Sequence, residues 1–200
     1  MRGRDIKRDG YKFAGLYLIT AHNGYVKDDG TTVPRIEIEN YPAIKKWLES
    51  EKWNNKPDKG TSIERLSNRT DKGETPYNLR DCAYMDDFDG QKILYSEIVK
   101  SPQFYLDDEK FIPEATTFLM SGEHLDALIK YMNSNIVAWI FKTYYAGGGL
   151  GENGYRYKKA FLVNLPIPRY FDAESINDEK ICQLYNFTDE EIYFISSSVK

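Results

Sequence analysis

The sequence predicts an α+β fold: a mixed or antiparallel twisted sheet packed on a long core helix, with a small C-terminal helical appendage. Three observations carry this. Lys92 to Val99, Gln103 to Leu106 and Thr116 to Met120 are strand-like runs separated by Ser101-Pro102 and by the acidic turn Asp107, Asp108, Glu109, a spacing that suggests antiparallel neighbours. Leu125, Leu128, Ile129, Met132, Ile136, Trp139 and Ile140 fall at three- and four-residue steps, giving one apolar face to a helix of roughly twenty residues beginning near Glu123. After Pro168 the chain turns acidic and carries two short helical signals.

Taken in order, Arg2, Gly3, Arg4, Asp5, Ile6, Lys7 and Arg8 form a basic opening that reads as the start of a piece cut from a longer protein, with Met1 added. Tyr11 to Thr20, bounded by Gly10 and His22-Asn23-Gly24, reads as a strand, and Val33 to Ile38 as a second. Tyr41-Pro42 starts a helix with proline in its first turn and Ile44, Trp47 and Leu48 as the buried stripe, ending near Trp53. Asn54 to Gly60 is a loop, Ile63 to Asn68 a short helix, and Asn68 to Tyr84 a polar, irregular stretch of the kind in which binding residues concentrate.

Gly147, Gly148 and Gly149, with Gly151 and Gly154, end the core helix in a turn whose backbone can approach another molecule closely. Tyr155, Arg156, Tyr157, Lys158 and Lys159 follow, and Leu165-Pro166-Ile167-Pro168 stops the chain. In the tail, Asp178 to Tyr185 and Thr188 to about Ser196 are helical, with Thr188 and Glu191 forming a capping box. The expected division is a domain over residues 1–168 and a tail over 169–200.

A hydrophobic share of 41% suffices for a sizeable core, and the sixteen tyrosines suit polar interfaces as well as interiors. The net charge of −4 argues against a free-standing nucleic-acid binder, yet residues 1–80 are +4 while 81–160 and 161–200 are −4 each, so local basic patches remain. Cys82 and Cys182, with only two histidines, suggest neither a disulfide framework nor a metal cluster and fit a reducing cytoplasm. No run of eighteen apolar residues exists and the N-terminus is polar, so no membrane span and no signal peptide are expected.

Candidate chemistry is sparse. Gly149-x-Gly151-x-x-Gly154 matches the dinucleotide fingerprint in letters, but that motif needs a strand before it and a helix after it, and here a helix precedes. A glycine turn followed by alternating rings and cations can instead present amides, charges and ring faces to a phosphate backbone. Asp5-Ile6-Lys7, Asp108-Glu109-Lys110 and Asp178-Glu179-Lys180 have the acid-x-lysine spacing of metal-dependent nucleases but read better as solvated turns and caps. Thr75-Pro76-Tyr77-Asn78 lacks the paired prolines with which amino-methylating enzymes grip an extruded base. His22 and His124 have no serine–aspartate context. Asn133 and Asn135, placed inside the long helix, cost helical propensity and suit a structural role.

With these segments in order, the chain resembles the TaqI-like C-terminal specificity domain, the target-recognition module of type IIG restriction-modification enzymes and related adenine-specific DNA methyltransferases. The resemblance rests on Arg2 to Arg8, on Asn40-Tyr41-Pro42, on Tyr77-Asn78-Leu79-Arg80-Asp81-Cys82-Ala83-Tyr84, on Lys92-Ile93-Leu94-Tyr95-Ser96-Glu97-Ile98 and on Leu165-Pro166-Ile167-Pro168, covering roughly residues 2 to 168. It implies that a methyltransferase domain upstream, or in a partner chain, binds S-adenosylmethionine, while this fragment selects duplex DNA, has no activity and holds no cofactor or metal of its own. Magnesium is expected only in the parent chain. For such a module the phosphate-binding candidates are Arg4, Lys7, Arg8, Arg156, Lys158 and Lys159, and the base or sugar candidates Asn78, Arg80 and Tyr155, then Arg69 and Thr75. Two other readings stand beside it: a protein-interaction module with the long helix as a dimer seam, and a magnesium-dependent nuclease using Asp108 and Lys110.

Overall fold

The computed structural model describes residues 1–8, 10–80, 82–146, 150, 154–169 and 176–198. In chain order the strands and α-helices are β1 (Ile6–Lys7), β2 (Gly10–Tyr11), β3 (Tyr25–Val26), β4 (Thr32–Val33), α1 (Pro42–Glu49), α2 (Ser62–Asn68), α3 (Met85–Asp89), β5 (Lys92–Ser96), β6 (Ile98–Val99), β7 (Phe104–Asp107), β8 (Thr117–Met120), α4 (Leu125–Met132), α5 (Asn135–Ile140), β9 (Tyr155–Arg156), α6 (Lys159–Leu162), α7 (Asp178–Leu184) and α8 (Asp189–Ser198). They divide into two units, one made of residues 1–16 with 90–200 and the other of residues 17–89.

The first unit is built on a three-stranded antiparallel sheet in the order β7-β5-β8, with Ile93 of the central strand opposite Leu106 on one side and Met120 on the other. All five residues of β5 are buried. Its first is Lys92, which survives there because Asp107, its cross-strand partner, meets it at 2.7 Å with both side chains fully enclosed.

The expected twenty-residue helix is two helices. The chain breaks at Asn133-Ser134 because both side chains have better partners than a continuous helix offers. Asn133 Oδ1 accepts from Phe104 N at 3.0 Å and its Nδ2 donates to Phe104 O at 2.8 Å, satisfying the outer edge of β7. Ser134 Oγ accepts from Val137 N and so caps α5. After α5 the backbone continues as a π-turn through Tyr145.

Leu125, Tyr131 and Met132 of α4, Ile136 and Val137 of α5, and Ile181, Cys182 and Ile195 of the C-terminal helices all enter one core with Ile93, Tyr95 and Phe104. The acidic tail is therefore joined to the sheet unit through its apolar side. The Thr188–Glu191 capping box forms as expected, with Glu191 Oε2 accepting from Thr188 N at 2.8 Å. Tyr131 and Tyr185 both donate to the carbonyl of Pro166, which fixes the proline stop.

Gly154 has φ +105°, and a Cβ on it would lie 2.0 Å from the carbonyl oxygen of Val99. This close approach lets β9 pair with β6, setting Tyr155 opposite Val99 and Arg156 opposite Ile98. Gly154→Ala combines an unfavourable φ with a clash against backbone, so it is expected to cost about 2–4 kcal/mol. A fall of less than 0.5 kcal/mol in urea unfolding would contradict this packing. Gly147, Gly148, Gly149 and Gly151, the rest of the expected close-approach turn, lie outside the described residues.

In the second unit β3 and β4 form an antiparallel hairpin, with Tyr25 opposite Val33. The expected long strand from Tyr11 to Thr20 is absent beyond Tyr11, and the Val33 to Ile38 strand stops at Val33 before a 3-10 turn over Ile38–Asn40. Both runs have strand-forming residues, but propensity supplies no partner, and only the two ends pair. Helices α1 and α2 start where expected, α2 on a Thr61–Glu64 capping box, but α1 ends at Glu49 and a separate 3-10 turn covers Glu51–Trp53. The stripe Ile44, Trp47, Leu48 is not buried: no residue of α1 is, and Trp47 is 45% exposed. An amphipathic pattern states which face is apolar, not how many layers cover it.

Candidate nucleic-acid interface

The polar segment after α2 folds into a tight hairpin. Lys72 and Leu79 form a bridge, Gly73 N donates to Asn78 O at 2.8 Å, and Thr75, Pro76 and Tyr77 make the tip. Asn78 anchors it from below. Its side chain is 1% exposed, and Nδ2 donates to the carbonyls of His22 at 3.0 Å and Ile36 at 2.9 Å, while Oδ1 accepts from the Thr75 hydroxyl. Leu79 N adds a bond to Ala21 O at 2.8 Å.

Asn78 was expected at a base edge; with all its polar atoms committed inside the unit, it joins three chain segments instead. Arg69 is likewise turned inward, donating from Nη2 to Asn78 O, with its buried Nε unpartnered among the described residues. Thr75 spends its hydroxyl on Asn78 and sits half-buried at the tip. Tyr77 donates to Glu49 at 2.6 Å, and that carboxylate pushes the phenol up to about 12. Arg80 is exposed, and no described residue partners its guanidinium.

In the first unit the basic opening is braced before it is exposed. Arg2 forms a bidentate pair with Asp5, at 2.7 and 2.8 Å, which holds the Asp5 carboxyl below its ordinary range. Arg4, Lys7 and Arg8 are exposed. The Lys7 ammonium donates to Arg4 O at 2.9 Å and Arg8 Nη1 to Asn135 Oδ1 at 3.3 Å.

The run after Gly154 alternates in and out. Tyr155 and Tyr157 are buried, their hydroxyls 3.2 Å apart, in a ring cluster where Tyr157 lies 4.6 Å from Phe141 and 4.8 Å from Phe104. Burial raises both phenols. Tyr155, expected to touch a base or sugar, is thus a core residue, because β9 turns that side of the ladder toward Phe141 of the π-turn. Arg156 points the other way but pairs with Glu97 at 3.0 Å, whereas Lys158 and Lys159 are exposed.

The nuclease spacing finds no assembled site. Asp5 is taken by Arg2, Asp108 accepts from Gln91 at 2.7 Å, Glu109 from Tyr11 at 2.6 Å and Asp178 from Ser134, and among the described residues no three His, Cys, Asp or Glu side chains gather to hold a metal. Of the residues proposed for a dimer seam, Leu125, Met132 and Ile136 are buried in the core, whereas Leu128, Ile129, Trp139 and Ile140 are partly buried against it. No described helix is long and apolar enough to cross a membrane.

Residues 1–167 match the family of the TaqI-like C-terminal specificity domain. The chain belongs to that family. As a TaqI-like specificity domain it is a DNA-specificity module of restriction-modification systems, in a family defined by target recognition and not by catalysis. The match runs from the basic opening to Ile167, so the TaqI-like domain takes in the Asn78-anchored hairpin, the sheet and the Tyr155 to Lys159 run. Comparison with curated proteins gives no match.

Proposed function

We propose that this domain reads a DNA sequence for a type II restriction-modification enzyme or adenine-specific methyltransferase, holding the duplex for a methyltransferase domain carried upstream or by a partner chain. The observation that carries the reading is the family match over residues 1–167. The methyl donor, S-adenosylmethionine, and any magnesium belong to that catalytic part, and the place of work is the cytoplasm. Arg4, Lys7, Arg8, Lys158 and Lys159, all exposed, supply phosphate contacts, and Arg80, exposed on the other unit, is a base or sugar contact. The acidic balance elsewhere keeps the isolated domain a weak binder.

Duplex binding should therefore weaken steeply with salt, since each phosphate neutralised adds about 0.9 to the slope of log K against log salt. Replacing Lys158 and Lys159 by Ala should lower that slope by up to about 2 and weaken all sequences alike. Affinity that stays flat between low and physiological salt would reject the proposal.

A further inference from the structure

The hairpin that Asn78 anchors carries a second polar assembly at its side. Ile36 is tied through both backbone groups, its N donating to His22 O at 3.0 Å and its O accepting from Asn78 Nδ2 at 2.9 Å. Its neighbours Arg35 and Glu37, two apart on extended chain, consequently share one face. Arg35 Nε donates to Glu37 Oε1 at 2.8 Å, and its Nη1 donates to Glu74 of the hairpin. Glu74 is itself held, its backbone N bonded to Asn23 Oδ1 at 2.9 Å. The side chains remain open to solvent, with Arg35 at 33%, Glu37 at 50% and Glu74 at 65%.

One guanidinium between two carboxylates leaves a local charge of −1. Such a group has no net attraction for phosphate, so charge neutralisation of the backbone is not its use. Exposed ion pairs also add little stability, typically below about 1 kcal/mol each. What the arrangement does supply is direction: two acids fix the plane of the guanidinium on a backbone that is itself fixed, and no described residue occupies Nη2. Nη2, with the remaining hydrogen of Nη1, can serve as a two-pronged donor on a side chain that is 33% exposed. A two-pronged arginine matches the O6 and N7 acceptors of guanine in the major groove, and a lysine ammonium, which can also reach them, lacks the planar fork that two carboxylates orient here.

We infer that Arg35, oriented by Glu37 and Glu74, is a specificity-determining residue that reads a guanine in the recognised sequence. This rests on the DNA-reading function proposed above and names a base contact within it.

The test is selection from a pool of randomised duplexes by the 200-residue chain at low salt, repeated with Arg35→Lys, Arg35→Ala and Glu37→Gln. The wild type should select guanine at one position. Arg35→Ala should erase that preference by about tenfold or more while leaving the rest of the profile, and Arg35→Lys and Glu37→Gln should weaken it at the same position. Thermal melts check folding, and Arg35→Lys, which keeps a cation of similar length, carries the test if the alanine variant melts early.

An unchanged profile would overturn the assignment and leave the cluster a surface ion pair. Uniform weakening at all positions with a shallower salt slope would overturn it in favour of a phosphate contact. A wild-type chain that binds duplex with no preference at any position would remove the sequence-reading function itself, and the Arg35 assignment with it.

Discussion

Asp107→Ala is expected to cost about 3–5 kcal/mol, because it removes the carboxylate that meets the Lys92 ammonium at 2.7 Å where both side chains are fully enclosed. Asp107 does more than pair. Its two oxygens also accept from the backbone of Glu109 and Phe111, both at 2.9 Å, closing the turn that leaves β7. Removing it therefore unpins that turn and takes the paired carboxylate from a buried cation at once. Removing both charges separates the two effects: Lys92→Met with Asp107→Leu deletes the desolvation cost and the attraction together, and should recover part of the loss. Urea unfolding followed by Trp139 fluorescence, in a Trp47→Phe, Trp53→Phe background, reports on this unit alone, since Trp139 is its only tryptophan. A loss below 1 kcal/mol for Asp107→Ala would show that the pair is solvated.

The same strand marks where the sequence was legible and where it was not. Lys92 to Met120 announced three strands through apolar, branched and aromatic runs between turn residues; they build the antiparallel sheet β7-β5-β8, except that the first run breaks at Glu97 and its end, β6, pairs with β9 instead. Turn chemistry is local, so it survives in the sequence. The two capping boxes, Thr61–Glu64 and Thr188–Glu191, are local as well. The helix of twenty residues failed at Asn133-Ser134, although the signal was there: two residues that prefer caps, at mid-helix, whose actual partners are the edge of β7 and Asp178, brought close only by folding.

The site divides in the same way. That Lys158 and Lys159 are exposed while Tyr155 and Tyr157 are buried follows from a short strand and the start of a helix, neither of which the spacing of rings and cations reveals. Arg35 went unnoticed because its partner Glu74 is 39 positions away. Nothing in a Pro-Arg-Ile-Glu run distinguishes an oriented guanidinium from a solvated one.

Asn78→Ala should be the most damaging single change in the second unit. It deletes two hydrogen bonds to the carbonyls of His22 and Ile36 and a third to Thr75, and it takes the Asn78 donor from the Ile36 carbonyl, while His22 O keeps the bond from Ile36 N. Each such bond is worth about 1 kcal/mol and each stranded group costs about 1–3 kcal/mol, so a loss of about 2–5 kcal/mol is expected. Asn78→Asp is nearly isosteric yet replaces a donor by an acceptor facing two carbonyls, and it should be at least as harmful. Trp47 and Trp53 report unfolding of this unit when Trp139 is replaced by Phe. The functional consequence is separable from the energetic one. Because the hairpin, Ile36 and the His22 segment all hang on this amide, its loss should blur DNA sequence preference at temperatures below the melt, while the exposed lysines of the other unit keep their salt-dependent affinity. A variant that melts early but selects the same sequence when folded would mean that Asn78 holds the unit together without shaping what it reads.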